Sequence, residues 1–245
     1  MMDMLEPTRD PATPTLVLLH GAGGSAMVWP PELLSLPGVN VAALDLPGHG
    51  GAPRPGRRTV RQYATAVAET VSASGLSSLV LVGHSMGGAI ALELAAAGLP
   101  GLRGLVLLGT SGRLRVGQPL FEALSDDFSA ATTRISELSF GPGTPPALRQ
   151  AAAEELRRCG SMTLTGDFLA CNGFDRRAAL PTLEMPTLVI SGSADRMVPP
   201  RHSEATAAAL PQGAFSLIEG VGHFVMQEAP ALVGEQVAKF VSRVY

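Results

Sequence analysis

Residues 79–95 constrain the fold more than any other part of the chain. Leu79-Val80-Leu81-Val82 is a short, wholly apolar run. Gly83-His84-Ser85-Met86-Gly87-Gly88 follows at once, and Ala89-Ile90-Ala91-Leu92-Glu93-Leu94-Ala95 is a strong helix former. An apolar run without alternation is what a strand covered on both faces looks like. A strand that bends into a helix within a few residues belongs to a strand–helix–strand unit, so the sheet is expected to be largely parallel. The bend carries G-x-S-x-G. Small residues flank the serine because Cβ atoms there would collide with the strand and the helix. Ser85 is thereby expected on a strained turn, its hydroxyl raised above the sheet and close to the free N–H groups of a helix start.

The rest of the chain repeats the rhythm. Apolar runs rich in Val, Leu and Ile recur at 16–20, 41–45, 79–83, 104–109, 187–191 and 215–219. Helical stretches separate most of them. Val60, Tyr63, Ala64, Val67 and Val71 share one helical face, as do Val233, Val237, Phe240, Val241 and Val244. The expected fold class is α/β: a mostly parallel open sheet flanked by helices. One interval breaks the pattern. Between Gly109 and Pro186 no strand-like run occurs; helical stretches at 120–138, 147–158 and 165–171 surround Gly141-Pro142-Gly143-Thr144-Pro145-Pro146. That is too long for one crossover connection. It reads as a helical cap, residues 112–181, inserted into a core domain formed by 1–111 and 182–245.

Composition narrows the function classes. Hydrophobic residues make up 46% and charged residues 16% of the 245 residues, which supports a large core and argues against disorder. Net charge is −3 and no basic stripe is present, so nucleic acid is not an expected partner. The 18 basic residues include one lysine, Lys239, which nearly excludes lysine-dependent chemistry. Cys159 and Cys171 are the two cysteines, too few for a disulfide framework. The first fifteen residues are polar with three prolines and no apolar signal segment. No apolar run is long enough to span a bilayer, so a cytoplasmic protein without membrane contact is expected.

A serine hydroxyl is a weak nucleophile and needs a base that a carboxylate holds. Of the five histidines only His202 and His223 follow Ser85 with an acid in between. His223 lies in Gly220-Val221-Gly222-His223-Phe224, just past the last strand. That is the carboxyl end of the sheet, where ligands bind in parallel folds. His202 follows Pro199-Pro200-Arg201 and reads as a polar helix start. For the acid, Asp195 lies just beyond the run 187–191; Asp167, Asp175 and Glu219 compete with it. An oxyanion needs two backbone donors. Met86, after the serine, supplies one. The loop His20-Gly21-Ala22-Gly23-Gly24 supplies the other, from Ala22 or else Gly23.

At these residues the chain resembles the α/β-hydrolase superfamily, especially its small capped carboxylesterases, lactonases and C–C hydrolases. The resemblance rests on His20-Gly21-Ala22-Gly23-Gly24 with Trp29 downstream, Asp45-Leu46-Pro47-Gly48-His49-Gly50, Gly83-His84-Ser85-Met86-Gly87-Gly88, Pro186-Thr187-Leu188-Val189-Ile190 leading to Asp195, and Gly222-His223. It implies Ser85, Asp195 and His223 as a catalytic triad, a helical cap, and neither cofactor nor metal. The family usually opens with a hairpin of two strands; here an edge strand is short or missing. Ser85 argues against the dehalogenase and epoxide hydrolase branches, which carry Asp as nucleophile. Relatives in the menaquinone pathway carry an arginine soon after the elbow, where this chain has Ala89.

The resemblance implies hydrolysis of carboxylic esters of small, mainly apolar molecules through an acyl-enzyme. Lactone or C–C cleavage on the same triad is the alternative, followed by a ligand-binding protein without catalysis. A nucleotide-binding reading is also open, because Gly21-Ala22-Gly23-Gly24-Ser25-Ala26 fits G-x-G-x-x-A after a strand and Asp45 ends the next one. Pro30-Pro31 weakens it by interrupting the helix that should follow. Trp29, Met27, Phe128, Met162, Phe168, Met197, Val198 and Phe224 are the expected substrate contacts. No cation stands beside a motif except Arg196, so no charged clamp is expected. Monomer and homodimer are both open.

Overall fold

A computed structural model describes residues 13–245. The expectations for the extreme N-terminus, an absent signal segment and a short or missing edge strand, lie outside the described residues. Six strands form one sheet: β1 (Thr15–Leu19), β2 (Asn40–Leu44), β3 (Leu79–His84), β4 (Leu102–Leu108), β5 (Thr187–Gly192) and β6 (Gly213–Ile218). Their order is β2-β1-β3-β4-β5-β6, and every neighbouring pair is parallel. Each of the six apolar runs becomes one strand. Burial on both faces holds for the central strands but not for the edges, where β2 and β6 are only partly covered.

Alternation inside the central strands splits the core in two. Val17, Leu19, Leu79, Leu81, Leu105 and Leu107 face one layer. Leu16, Leu18, Val80, Val82, Val106 and Leu108 face the other. The first layer is closed by α2 (Val60–Ser74), α3 (Met86–Ala96) and α8 (Pro200–Ala209). The second is closed by α1 (Pro31–Leu34), α9 (Val225–Glu228) and α10 (Pro230–Val244). Both helical faces read from the sequence are used: Val60, Tyr63, Ala64, Val67 and Val71 on α2, and Val233, Val237 and Val241 on α10. Each fully buried Leu or Val side chain contributes about 1.5–3 kcal/mol to such a core.

Four helices occupy the interval between β4 and β5: α4 (Gln118–Asp126), α5 (Phe128–Ser139), α6 (Pro146–Cys159) and α7 (Ser161–Asn172). The single stretch expected over 120–138 is two helices, because Asp127 takes an extended conformation and its side chain accepts the Ala130 N–H as the cap of α5. Leu124, Ala131, Ile135, Leu156, Cys159, Leu164 and Phe168 make a separate small core inside this group. Its two stems are tied by an antiparallel bridge between Arg113 and Asp175. Among the described residues no helix is long and apolar enough to cross a membrane.

Strand order also locates the crevice. From β1 the chain moves outward to β2, then returns past β1 to β3. The loops leaving the carboxyl ends of β1 and β3 therefore diverge, which opens a ligand site in parallel sheets.

Candidate active site

Ser85 leaves β3 with φ 50° and ψ −114°. Among the described residues it is the one non-glycine with positive φ. Such backbone strain is worth about 1–3 kcal/mol and persists only where the surroundings enforce it. Enforcement is visible. The Ser85 N–H donates to the Leu108 carbonyl at 2.9 Å. A Cβ on Gly87 would collide with the Leu19 carbonyl, and one on Gly83 with the Gly87 carbonyl. The neighbours of Ser85 in β3 and α3 are buried, while Ser85 itself is partly exposed. It faces a cavity of about 670 Å³.

His223 faces the same cavity from the loop between β6 and α9. Its Nδ1 lies 2.8 Å from Asp195 Oδ2. With Asp195 ionised, Nδ1–H is the donor and Nε2 is left with its lone pair. The other oxygen, Asp195 Oδ1, accepts the N–H groups of Met197 (2.8 Å) and Val198 (2.9 Å), which fixes the carboxylate after β5. The His223 loop is clamped as well. The His223 N–H donates to the Ser139 carbonyl at 2.6 Å. Glu228 Oε1 accepts the Gly222 N–H at 2.9 Å, while Oε2 accepts from Gly141 N–H and Thr144 Oγ1. His84 is buried behind the serine and lies 3.1 Å from the His223 carbonyl through Nε2. Burial, and then the neighbouring His223, push its pKa well below the ordinary value, so it is a neutral donor.

The loop after β1 is equally fixed. His20 Nε2 accepts the Leu46 N–H at 3.1 Å and its Nδ1 lies 2.8 Å from the Gly21 carbonyl. This arrangement requires the neutral ring, and burial with the adjacent His49 lowers the pKa to about 3. The Gly23 N–H donates to Asp167 Oδ2 at 2.9 Å. Gly23 is thus committed, whereas Ala22 lines the cavity with Ser85. Of the two expected loop donors, Gly23 has its N–H engaged and Ala22 borders the cavity.

Asp167, a competitor for the catalytic acid, lies instead in a sealed cluster under α7. Its carboxylate meets His49 Nε2 at 2.8 Å and accepts from the Tyr63 hydroxyl at 2.5 Å. Burial disfavours the charged His49. The hydrogen bond to Asp167, assistance from Cys159 and the Asp167 charge outweigh it and hold the pKa at about 10. His49, Cys159 and Asp167 bring potential metal-ligand atoms within 4.8 Å of one another. His49 and Asp167 already satisfy each other there, so the cluster is self-contained. Asp175 is exposed and paired with Arg177 at 2.7 Å, while Glu219 is exposed past β6. His202 is exposed on α8 and is one of the residues that line the cavity.

The expected substrate contacts divide. Phe168, Met197 and Val198 line the cavity. Trp29 is buried under the sheet in the layer of α1 and α10, because its neighbours after β1 fold inward. Met27 and Met162 are 87% and 83% exposed and point to solvent. Phe128 packs inside the helical insertion. Phe224 stacks on Phe140 at 4.9 Å and lies 4.8 Å from the His84 ring, a wall behind the histidine loop rather than a contact. Arg113, Arg115 and Arg177 line the cavity, brought there by the stems of the insertion, far in sequence from any motif. Asp167 and Glu228 likewise gave no local signal, since their partners lie up to 144 residues away.

The nucleotide-binding reading fails on the same loop. Where a dinucleotide fold has a long helix, residues 26–28 form one short turn and α1 has four residues. The side chain of Asp45 is engaged by the N–H groups of Ala26 (2.7 Å) and Gly51 (2.8 Å), which tie it to its own loops.

Comparison with known proteins agrees with this architecture. A pimeloyl-[acyl-carrier protein] methyl ester esterase of Xanthomonas oryzae pv. oryzae is 31% identical over 94% of this chain and 96% of its own length. A 2-succinyl-6-hydroxy-2,4-cyclohexadiene-1-carboxylate synthase of Salmonella newport is 29% identical over 94% and 95%. The solved structure of a thermophilic esterase superposes with a TM-score of 0.84 at 28% identity, covering 94% of this chain and 90% of that one. The sequence model of the Alpha/beta hydrolase family matches residues 16–236, and the chain belongs to that family.

Proposed function

We propose that the protein is a serine hydrolase of carboxylic esters, working through an acyl-enzyme. The carrying observation is that Ser85, raised on its strained turn, and His223, held through Nδ1 by Asp195, open onto one cavity. In this reading His223 Nε2 takes the Ser85 proton as Oγ attacks the ester carbonyl. The N–H groups of Met86 and Ala22 stabilise the oxyanion. Met86 is the first residue of α3, so its N–H has no acceptor within the helix. His223 then protonates the departing alcohol. Water attacks the acyl-enzyme with His223 again as base, releasing the acid and restoring Ser85. Asp195 stays ionised and keeps the imidazole in the right tautomer.

The names of the relatives support ester chemistry, since one acts as a methyl ester esterase and a solved neighbour is an esterase. Apolar walls from Leu114, Phe168, Met197 and Val198 suit an apolar acyl or alcohol part. Triad and backbone donors supply every step of this reading, which calls for no cofactor or metal. The two free, buried thiols suit a reducing cytoplasmic setting. A fluorophosphonate probe tests the proposal. It is expected to label Ser85, with p-nitrophenyl acetate and butyrate hydrolysed, and both signals are expected to vanish in Ser85→Ala. A protein that neither labels nor hydrolyses either ester overturns it and favours ligand binding without catalysis.

A further inference from the structure

The cavity that Ser85 and His223 face has a strongly one-sided charge. Its lining residues include Arg113, Arg115 and Arg177 and no Asp or Glu. Arg113 enters from the stem after β4, and Arg177 from the stem after α7. The nearest acidic group, Asp175, is shared: it pairs with Arg113 at 3.5 Å and with Arg177 at 2.7 Å. Asp175 also senses the charge of Arg115, at longer range. Three positive charges against one negative leave an excess of two at this end of the pocket. Phe168, Met197 and Val198 add apolar lining. A cleft lined by one sign of charge within low-dielectric walls concentrates ligands of the opposite sign. Planar guanidinium groups match carboxylate and phosphate oxygens in pairs.

We infer that this site prefers esters carrying a second, anionic group remote from the scissile bond, a carboxylate or a phosphate seated by Arg113, Arg115 and Arg177. The inference rests on the ester-hydrolase reading for the reaction, but not for the anion seat. Asp175 sets the strength of the seat by neutralising part of it. Removing that carboxylate therefore strengthens the preference, an outcome of opposite sign to the loss of an arginine. Arg115, exposed and without a direct ion pair among the described residues, is the most available of the three.

The test uses the mono-p-nitrophenyl ester of adipic acid and its terminal primary amide, which differ in charge at nearly the same size. The kcat/KM ratio of acid to amide is expected to be about tenfold or more at low salt. It is expected to shrink in about 0.5 M sodium chloride. Arg115→Gln lowers the ratio toward one, Arg115→Lys keeps most of it, and Asp175→Asn raises it. Competition by adipate and by inorganic phosphate shows which anion the seat takes. A ratio of one or below, or a ratio that Arg115→Gln leaves unmoved, overturns the inference while hydrolysis of the amide keeps the ester-hydrolase reading intact. If neither ester is turned over, that reading fails and calorimetry with adipate decides the seat alone. Binding that Arg115→Gln abolishes supports it, and absence of binding overturns it.

Discussion

His223–Asp195 and His49–Asp167 are chemically the same pair at the same 2.8 Å separation, yet they sit in different surroundings. In the first, Asp195 takes Nδ1 and leaves Nε2 free on a residue that lines the cavity. In the second, Asp167 takes Nε2, and Nδ1 lies 3.2 Å from the Pro47 carbonyl, so both nitrogens are used. The rest of the Asp167 carboxylate holds Tyr63 and the Gly23 N–H. A histidine–carboxylate pair does chemistry only where one ring nitrogen stays free and reachable. Where both are satisfied, the pair is a buried brace. Here the brace joins the helical insertion to the loop that carries Ala22, and the open pair borders the same cavity as Ser85.

The comparison breaks most sharply through rate. Ser85→Ala and His223→Ala are each expected to lower turnover of p-nitrophenyl butyrate by on the order of 10³-fold or more, the first with little change in Tm. Near-normal turnover in either would move the chemistry elsewhere. Asp195→Asn keeps the shape but favours the wrong tautomer, so kcat is expected to fall by about 10³–10⁴-fold, measured beside an unchanged melting curve.

At the sealed pair the order of effects reverses. Asp167→Asn leaves His49 without its counter-charge, and breaking a buried pair removes about 3–5 kcal/mol. For a chain of this size that lowers Tm by roughly 10 °C. Its turnover is expected to fall far less than that of Ser85→Ala. A variant as stable as the parent but as inactive as Ser85→Ala would invert the assignment.

Acid and base sharpen the same contrast. His49 is held at about 10 in the folded chain against an ordinary 6.5. Its contribution to stability is therefore full below 6.5 and is lost as pH rises through 10. A thermal-melt series is expected to show Tm declining across that range, and the decline is smaller in Asp167→Asn. His20 has the opposite sign. At about 3 when folded, it binds its extra proton only in the unfolded chain as pH falls from 6.5 toward 3, so stability drops over that window. The smallest effect is expected at Met162. Its side chain is 83% exposed, and Met162→Ala should stay within about 0.5 kcal/mol in a urea melt.

Legibility in the sequence followed how local each cause was. The six strands were readable because apolar runs without alternation are a local signature of burial on both faces. They failed only at β2 and β6, where position in the sheet rather than composition leaves a face uncovered. Ser85, His223, Asp195 and Met86 were picked by turns and strand ends. Of the expected contacts, Phe168, Met197 and Val198 reach the cavity, whereas Trp29 and Phe224 sit beside motifs in sequence and behind them in space. Nearness along the chain does not say which side of a loop a side chain occupies.

The sequence alone determined the layer architecture, the strained serine turn and the long helical interruption, because each is written in a window of a few to about fifteen residues. Only the tertiary structure decided that Asp167 meets His49, that Gly23 is committed while Ala22 is not, and that three stem arginines line a cavity with the serine. Those choices depend on how the insertion settles on the sheet. They join residues more than a hundred positions apart through single hydrogen bonds, and such pairings leave no periodic trace in the chain.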